Sequence, residues 1–327
     1  HARIDELVAE EEATGRVIGM AARLPWRDAL VMNAYLAHGL DFDDTHVEGV
    51  VHATAAAMPT ALVTAAWRGR SGRDAVTAYI ASVETAVRVG AAAKGGFHQV
   101  GFHPTGLANA FGATLAAARL LDLTAEQAAH AQGIALSTAG GSLEFLNDGA
   151  WTKRMHPGWA GMSGATAAAL AKQGFQGPAL AYEGRFGLYN MLLQNAAASC
   201  DLPRLTEGLG EVWEVAKVAV KPLPACHFAH ASADAAAILA QQHGLTADDV
   251  EKAKPDPAGY RMTAQKLGVE PERCVTIEDT PTGLRAAKGA GLKAVGVCHS
   301  VSADALGQAD RVVETTEQIT LEMLRAM

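Results

Sequence analysis

Apolar residues return at helical spacing through most of the first three quarters of the chain. From Asp28 to Leu40, Ala, Leu, Val, Met and Tyr recur every three or four positions, which predicts an amphipathic helix. The pattern repeats from Ala53 to Trp67 and from Arg73 to Lys94, with Ser71-Gly72 between them as turn and cap. A further helix is expected over Gly106–Leu121. Thr124, with Gln127 three residues on, has the form of a capping box that opens the next. Glycines 140, 141 and 158 bracket an irregular stretch before an Ala-rich helix, expected from Ala160 to Gln173 and ended by Gly174. Phe175–Pro178 reads as loop, and Pro203–Trp213 is broken by glycines. A helix from Ser232 to His243 stops at Gly244.

The rhythm changes at Lys252. Lys254-Pro255-Asp256-Pro257 is a double-proline stop, followed by a helix over Ala258–Leu267, a β run over Cys274–Ile277, a helix over Thr282–Ala290 and a β run over Lys293–Val297. Asp310–Val313 fits a third strand and a terminal helix is expected from Thr316. Alternation of this kind marks a parallel sheet. The expected organisation is therefore a mainly α, all-helical domain over residues 1–251 and a small α/β Rossmannoid segment over 252–327, with no repeat and no low-complexity linker.

Composition narrows the function classes. With 327 residues and 49% hydrophobic content the chain can bury sizeable cores, while 6% aromatics and abundant Ala and Gly suit closely packed helices. A net charge of −8 argues against nucleic acid as a partner. No run of the length a bilayer requires is apolar enough to span one, so no membrane association is expected. Cys200, Cys226, Cys274 and Cys298 form no CxxC pair, which fits reduced thiols and a cytoplasmic location. The chain opens at His1 and runs Arg3–Leu7 into charged sequence, unlike a signal peptide, and its natural start is expected to lie upstream.

Titratable residues gather at one helix end. Gly39-Leu40-Asp41-Phe42-Asp43-Asp44-Thr45-His46 supplies three carboxylates, a hydroxyl and an imidazole, and Val51-His52-Ala53 adds a second imidazole. If the helix continued, Asp41 and Thr45 would share a face, and His52 could fold back across the break at Gly49. Four further clusters accompany this stretch: Gly101–Thr105 around His103, Trp151–Gly158 with Lys153, Arg154 and His156, Glu183–Gly187 around Arg185, and Lys221–His230 with Cys226, His227 and His230. Singly, each has a plain explanation: a solvated helix end, a capping histidine, a wet cationic surface. Twelve histidines, several at helix starts beside Gly or Pro, suit an anionic ligand better, because helix N-termini attract anions. No HxxxH or HExxH pair offers zinc a site.

In order and spacing, Leu40–Thr45, Gly101–Thr105, Glu144–Leu146 with Asp148–Arg154, His156–Ala160, Glu183–Gly187 and Lys221–Pro224 resemble the MmgE/PrpD family over about residues 1–251. That family includes 2-methylcitrate dehydratase, cis-aconitate decarboxylase and iminodisuccinate epimerase. The resemblance implies a large helical domain with a smaller α+β lid, a homodimer, a small polycarboxylate substrate and no cofactor. It also implies a catalytic site at Asp41, Thr45, His52, His103 and Lys153, with Arg154, Lys221, Cys226, His227 and His230 on the substrate. Proton removal α to a carboxylate would be the shared chemistry, with His103 and Asp41 as acid or base, Lys153 and His52 binding carboxylate and Thr45 positioning. Cys226 stands where decarboxylase-like members carry histidine, which leaves dehydration or epimerisation as the expected outcome.

Lys254–Pro257, Cys274–Ala287 and Gly291–Val297 are similar to the C-terminal half of haloacid-dehalogenase-like phosphatases, over about residues 252–327. There the resemblance implies Mg²⁺ on Glu278 and Asp279 and phosphate at Lys254. The nucleophile motif of those enzymes is matched in letters by Asp41–Thr45, but what precedes it reads as helix, not strand. Each resemblance is partial, so the chain is expected to be a fusion or a composite. A Mg²⁺-dependent phosphatase and a helical scaffold without activity stand as the rival readings.

Overall fold

A computed structural model describes residues 14–21, 23–244, 254–298 and 301–327. The expected boundary at 251/252 and the charged start of the chain lie outside these residues. Two compact units are resolved, His1–Phe228 and Ala229–Met327.

The first unit opens with a short antiparallel ribbon, β1 (Thr14–Arg16) against β2 (Arg23–Pro25), which the sequence pattern did not announce. Helices α1 (Trp26–His38), α2 (Thr54–Trp67), α3 (Gly72–Ala92), α4 (Pro104–Leu120), α5 (Ala125–Leu136) and α6 (Thr152–Lys172) follow. Ser71 and Thr124 each close a capping box, with Asp74 and Gln127, so the local polar residues fix where α3 and α5 begin. Helix α4 lies at the centre, buried along most of its length, and packs chiefly on α3 and α6. Small residues make that possible. A Cβ on Gly164 of α6 would stand 2.4 Å from Thr114 N of α4, so nothing larger than hydrogen fits there.

Two local expectations are corrected. Helix α6 starts at Thr152, eight residues before Ala160, because Pro157 and Gly158 sit inside the helix rather than ahead of it. Both are buried, and a Cβ on Gly158 would press on the Val31 carbonyl, so packing against α1 outweighs the missing backbone donor. Helix α1 does not continue through Asp41–Thr45. It ends at His38, and Asp41 follows with φ 52°, a left-handed conformation that aspartate tolerates better than most side chains. Asp41 and Thr45 are therefore not stacked by helical spacing.

The second unit holds α7 (His230–His243), ended by Gly244 in the left-handed region, α8 (Ala258–Lys266), β3 (Val275–Glu278), α9 (Pro281–Gly289), β4 (Lys293–Val297) and β5 (Arg311–Val313). Among the described residues its three strands run parallel in the order β3-β4-β5. Thr280 caps α9, whose Leu284 and Ala287 pack with Leu292, Ala294 and Leu306. The terminal helix begins later than expected. Thr316–Gln318 is a 3₁₀ turn and α10 (Leu321–Ala326) starts only where Thr320 caps it. Among the described residues no helix is long and apolar enough to cross a membrane.

Candidate active site

The loop between α1 and α2 carries the site, and backbone pairing holds it in place. Thr45 and Ala219 exchange both backbone hydrogen bonds, at 3.0 and 2.8 Å, and the bridge His46↔Val51 closes the turn beyond. The first pairing brings Lys221, two residues past Ala219, against Asp41. Lys221 donates to Asp41 Oδ1 at 2.7 Å and to the Asp41 carbonyl at 2.9 Å, and stands 3.8 Å from Asp43 Oδ1. Lys153 of α6 donates to Asp41 Oδ2 at 2.5 Å. One carboxylate is thus clamped between two ammonium groups from sequence positions 112 and 180 residues away. Burial pushes the Asp41 carboxyl up, but the hydrogen bonds and charges of Lys153 and Lys221 outweigh it and bring it down to about 2.

Four imidazoles line the same region. His38, the last residue of α1, donates from Nδ1 to Asp43 Oδ2 at 2.7 Å, and its buried Nε2 has no hydrogen-bond partner among the described residues. Burial raises the Asp43 carboxyl, and the bond and charge of His38 more than reverse this. His52 is fixed through its backbone, since its N–H donates to Thr105 Oγ1 and its carbonyl accepts from Asn109 Nδ2, two residues four apart on α4. The His52 ring faces the Asp44 carbonyl with Nδ1 at 2.8 Å. Nδ1 therefore carries the hydrogen and Nε2 the lone pair, 3.9 Å from Asp41 Oδ1. Asp44 itself accepts from Thr54 N and Thr54 Oγ1 at the start of α2, and burial raises its carboxyl.

His103 owes its place to Pro104. A residue before proline is driven to extended backbone, here φ −79° and ψ 104°, and the His103 N–H donates to the Gly141 carbonyl at 2.8 Å. Its side chain does not cap α4, contrary to the plainest reading of the sequence. It turns inward to His156, Nδ1 to Nδ1 at 2.8 Å. His156 and Lys153 are three apart on α6 and share a face. Ring centroids lie 5.0 Å apart for His38 and His52, 6.0 Å for His38 and His103, and 6.4 Å for His52 and His103. Burial lowers His52 to about 4 despite the nearby Asp43 carboxylate. It holds His103 well below the usual range, helped by His156, and lowers His156 to about 4. At neutral pH all three rings are uncharged bases.

The tertiary structure thus gathers Asp41, His52, His103, Lys153 and Lys221, with Thr45 buried beside them through its backbone pairing. Arg154 instead lies over the Trp151 ring, 5.1 Å from its centroid. After Lys221 the chain runs out through exposed Pro222 and Pro224. Cys226 is exposed, His227 is half-buried in the short turn His227–Ala229, and His230 opens α7 in the second unit. Sequence reasoning passed over His38 and Asp43 as a pair, and named His156 in its cluster without giving it a role. The signal was present in the motifs around Asp41 and Lys153, but nothing local says which rings meet. His38, Asp41 and Asp43 bring donor atoms within 4.8 Å of one another; a cation there would have to displace the lysines already facing both carboxylates.

In the second unit Glu278 closes β3 and is nearly buried. Its carboxylate accepts from Lys254 Nζ and Tyr260 Oη, and Lys254 lies 5.2 Å over the Tyr260 ring. Asp279 is half-buried next to it.

Residues 4–201 match the MmgE/PrpD N-terminal domain. The chain belongs to the MmgE/PrpD family. Its similarity runs to a cis-aconitate decarboxylase-like protein of Aspergillus oryzae, 27% identical over 228 residues, 66% of this chain and 47% of that one. The cis-aconitate decarboxylase of Aspergillus terreus is 27% identical over 230 residues, 67% of this chain and 46% of the relative. Residues 241–297 match the haloacid dehalogenase-like hydrolases. In that part the validoxylamine A 7′-phosphate phosphatase of Streptomyces hygroscopicus subsp. limoneus is 41% identical over 75 residues, 23% of this chain and 35% of the phosphatase. The chain spans less than half the length of each of these relatives. An MmgE/PrpD helical unit is therefore followed here by a small parallel-sheet unit of the dehalogenase-like kind.

Proposed function

We propose that this MmgE/PrpD chain acts as a lyase or isomerase that removes a proton α to a carboxylate of a small polycarboxylate, citrate-like or iminodisuccinate-like. The supporting observation is the pairing of neutral buried imidazoles with an ammonium-clamped carboxylate in one site. Such a proton is weakly acidic, so a base must act together with cations that stabilise the enediolate charge as it forms. His103 is the base in this reading, and Lys153, its side chain 18% exposed, exchanges Asp41 for the substrate carboxylate. Asp41, at about 2, is too weak a base for neutral pH and serves as the anchor of both lysines. His52, with its lone pair on Nε2, is placed to handle the second proton rather than to donate to a carboxylate. We further propose that the protein works as a cytoplasmic homodimer, which light scattering of the full chain tests. The deciding experiment is deuterium exchange at the α-carbon of citrate-like and iminodisuccinate-like compounds, followed by NMR with the full chain. H103N and K153M should each slow exchange by about a hundredfold or more. Unchanged exchange in both variants would overturn the assignment.

A second reading rests on the C-terminal unit, where Lys254 sits on the carboxylate at the end of β3. Glu278 and Asp279 are hard oxygen donors of the kind Mg²⁺ takes, one or two at a time, together with phosphate oxygens and water. The ion would supply charge neutralisation of a phosphoryl group, and Lys254 would bind the same group. The nucleophile is the weak point, because Asp41–Thr45 follows helix α1 through a loop and its first carboxylate is held by two lysines. Hydrolysis of p-nitrophenyl phosphate with and without Mg²⁺, and its loss in E278Q, decides this reading. If neither exchange nor hydrolysis is found, the scaffold reading takes its place.

A further inference from the structure

Two imidazoles of the helical unit meet head to head. His103 Nδ1 and His156 Nδ1 are 2.8 Å apart, with the rings tilted 48° and their centroids at 5.0 Å. Nitrogens at that distance share one hydrogen, since two would collide and none would set lone pair against lone pair. Burial holds both rings neutral at pH 7. A neutral imidazole carries one N–H, so one ring is the Nδ1–H form and the other the Nε2–H form. The backbone enforces the meeting. Pro104 fixes His103, and Gly106, where a Cβ would stand 2.5 Å from the Gly140 carbonyl and 3.1 Å from His156 Cβ, lets α6 approach. Among the described residues neither Nε2 hydrogen-bonds another protein group.

We propose that His156 is the positioning residue for the base: its Nδ1 accepts the Nδ1–H of His103, which leaves the His103 lone pair on Nε2, and it takes that proton over when Nε2 is protonated. This rests on the proton-abstraction reading. In the opposite arrangement His103 would carry its hydrogen on Nε2 and turn its lone pair towards His156, away from any substrate. The step balances. The Cα–H bond breaks, its electron pair stays on the substrate as enediolate, and the proton bonds to His103 Nε2. The Nδ1–H bond of His103 then breaks as that proton moves to His156 Nδ1. His103 ends neutral and His156 cationic; the reverse sequence returns the proton. Charges around the pair favour this direction. The Lys153 ammonium of α6 disfavours positive charge on His103 and does not act on His156, so the transfer carries the charge away from it. The edge of Phe145, 5.6 Å from His103 and 5.9 Å from His156, completes the wall.

The test uses the full chain labelled with ¹⁵N-histidine. Two-bond ¹H–¹⁵N correlation at pH 7 should show His103 protonated on Nδ1 and His156 on Nε2. H156N retains an acceptor but cannot carry a proton. It should keep the fold and the His103 tautomer, lower kcat for α-proton exchange about tenfold or more and leave KM unchanged. H156F should lose the tautomer as well and fall further. Finding His103 protonated on Nε2, or H156N turning over like wild type, overturns the proposal. A wild-type chain that exchanges no α-proton sinks the proton-abstraction reading and the relay with it, while the tautomer measurement still decides whether His156 orients His103.

Discussion

Methionine in place of Lys221 removes a buried charge while keeping most of the side-chain volume. The Lys221 side chain is 0% exposed and donates twice to Asp41. Its loss leaves Asp41 with Lys153 alone and takes the nearest ammonium from Asp43 Oδ1, which among the described residues already lacks a hydrogen-bond partner. Removing one partner of a buried pair costs roughly 3–5 kcal/mol. Asp41 is a quarter exposed and keeps one lysine, so about 2–3 kcal/mol is expected at neutral pH. The pH dependence follows from the depressed Asp41 carboxyl. A group lowered from 3.8 to about 2 in the folded state contributes stability that is fully present above 3.8 and lost as pH falls towards 2. The deficit of K221M should therefore be largest at pH 7 and begin to shrink below about pH 4. Urea unfolding followed by tryptophan fluorescence measures it cleanly, because all five tryptophans lie in the helical unit. The double variant D41N/K221M should recover about 1–2 kcal/mol relative to additivity. A loss below about 1 kcal/mol at pH 7, an equal loss at pH 3, or strict additivity would each refute the clamp as drawn.

The neutral histidines make a separate prediction. His52 and His156, both lowered to about 4, contribute stability that is complete above 6.5 and lost as pH falls towards 4, so the urea midpoint should drop between pH 6.5 and 4.5; a flat midpoint contradicts their burial as neutral rings. G164A forces a Cβ to 2.4 Å from Thr114 N and should destabilise the helical unit by about 2 kcal/mol or more, and a variant as stable as wild type would show that α4 and α6 are not so close. S71A removes the capping box of α3 and should cost about 1 kcal/mol in urea unfolding without changing α-proton exchange; a change in exchange would tie α3 to the site.

Local signals read well wherever the chain settles its own backbone. Ser71 and Thr124 mark helix starts and Gly244 a helix end, each through a hydrogen bond or a left-handed turn within a few residues. The β3-α9-β4 alternation was legible for the same reason. Helix α6 was misjudged because Pro157 and Gly158 look like stops in isolation, and only the contact with Val31 of α1 shows why a helix runs through them. Asp41, His52, His103 and Lys153 were legible as chemistry-bearing residues, and the MmgE/PrpD resemblance joined them.

What the letters determined alone was therefore the class of each segment and the stock of acids, bases and cations available to it, since periodicity and caps act over one or two helical turns. Only the tertiary structure decided that two distant lysines share one aspartate, that His38 pairs with Asp43, and that His103 turns from its own helix end to His156. Those pairings, and the neutral state of the rings, arise from exclusion of water and from side chains far apart along the chain, and neither is written in the spacing of neighbouring residues.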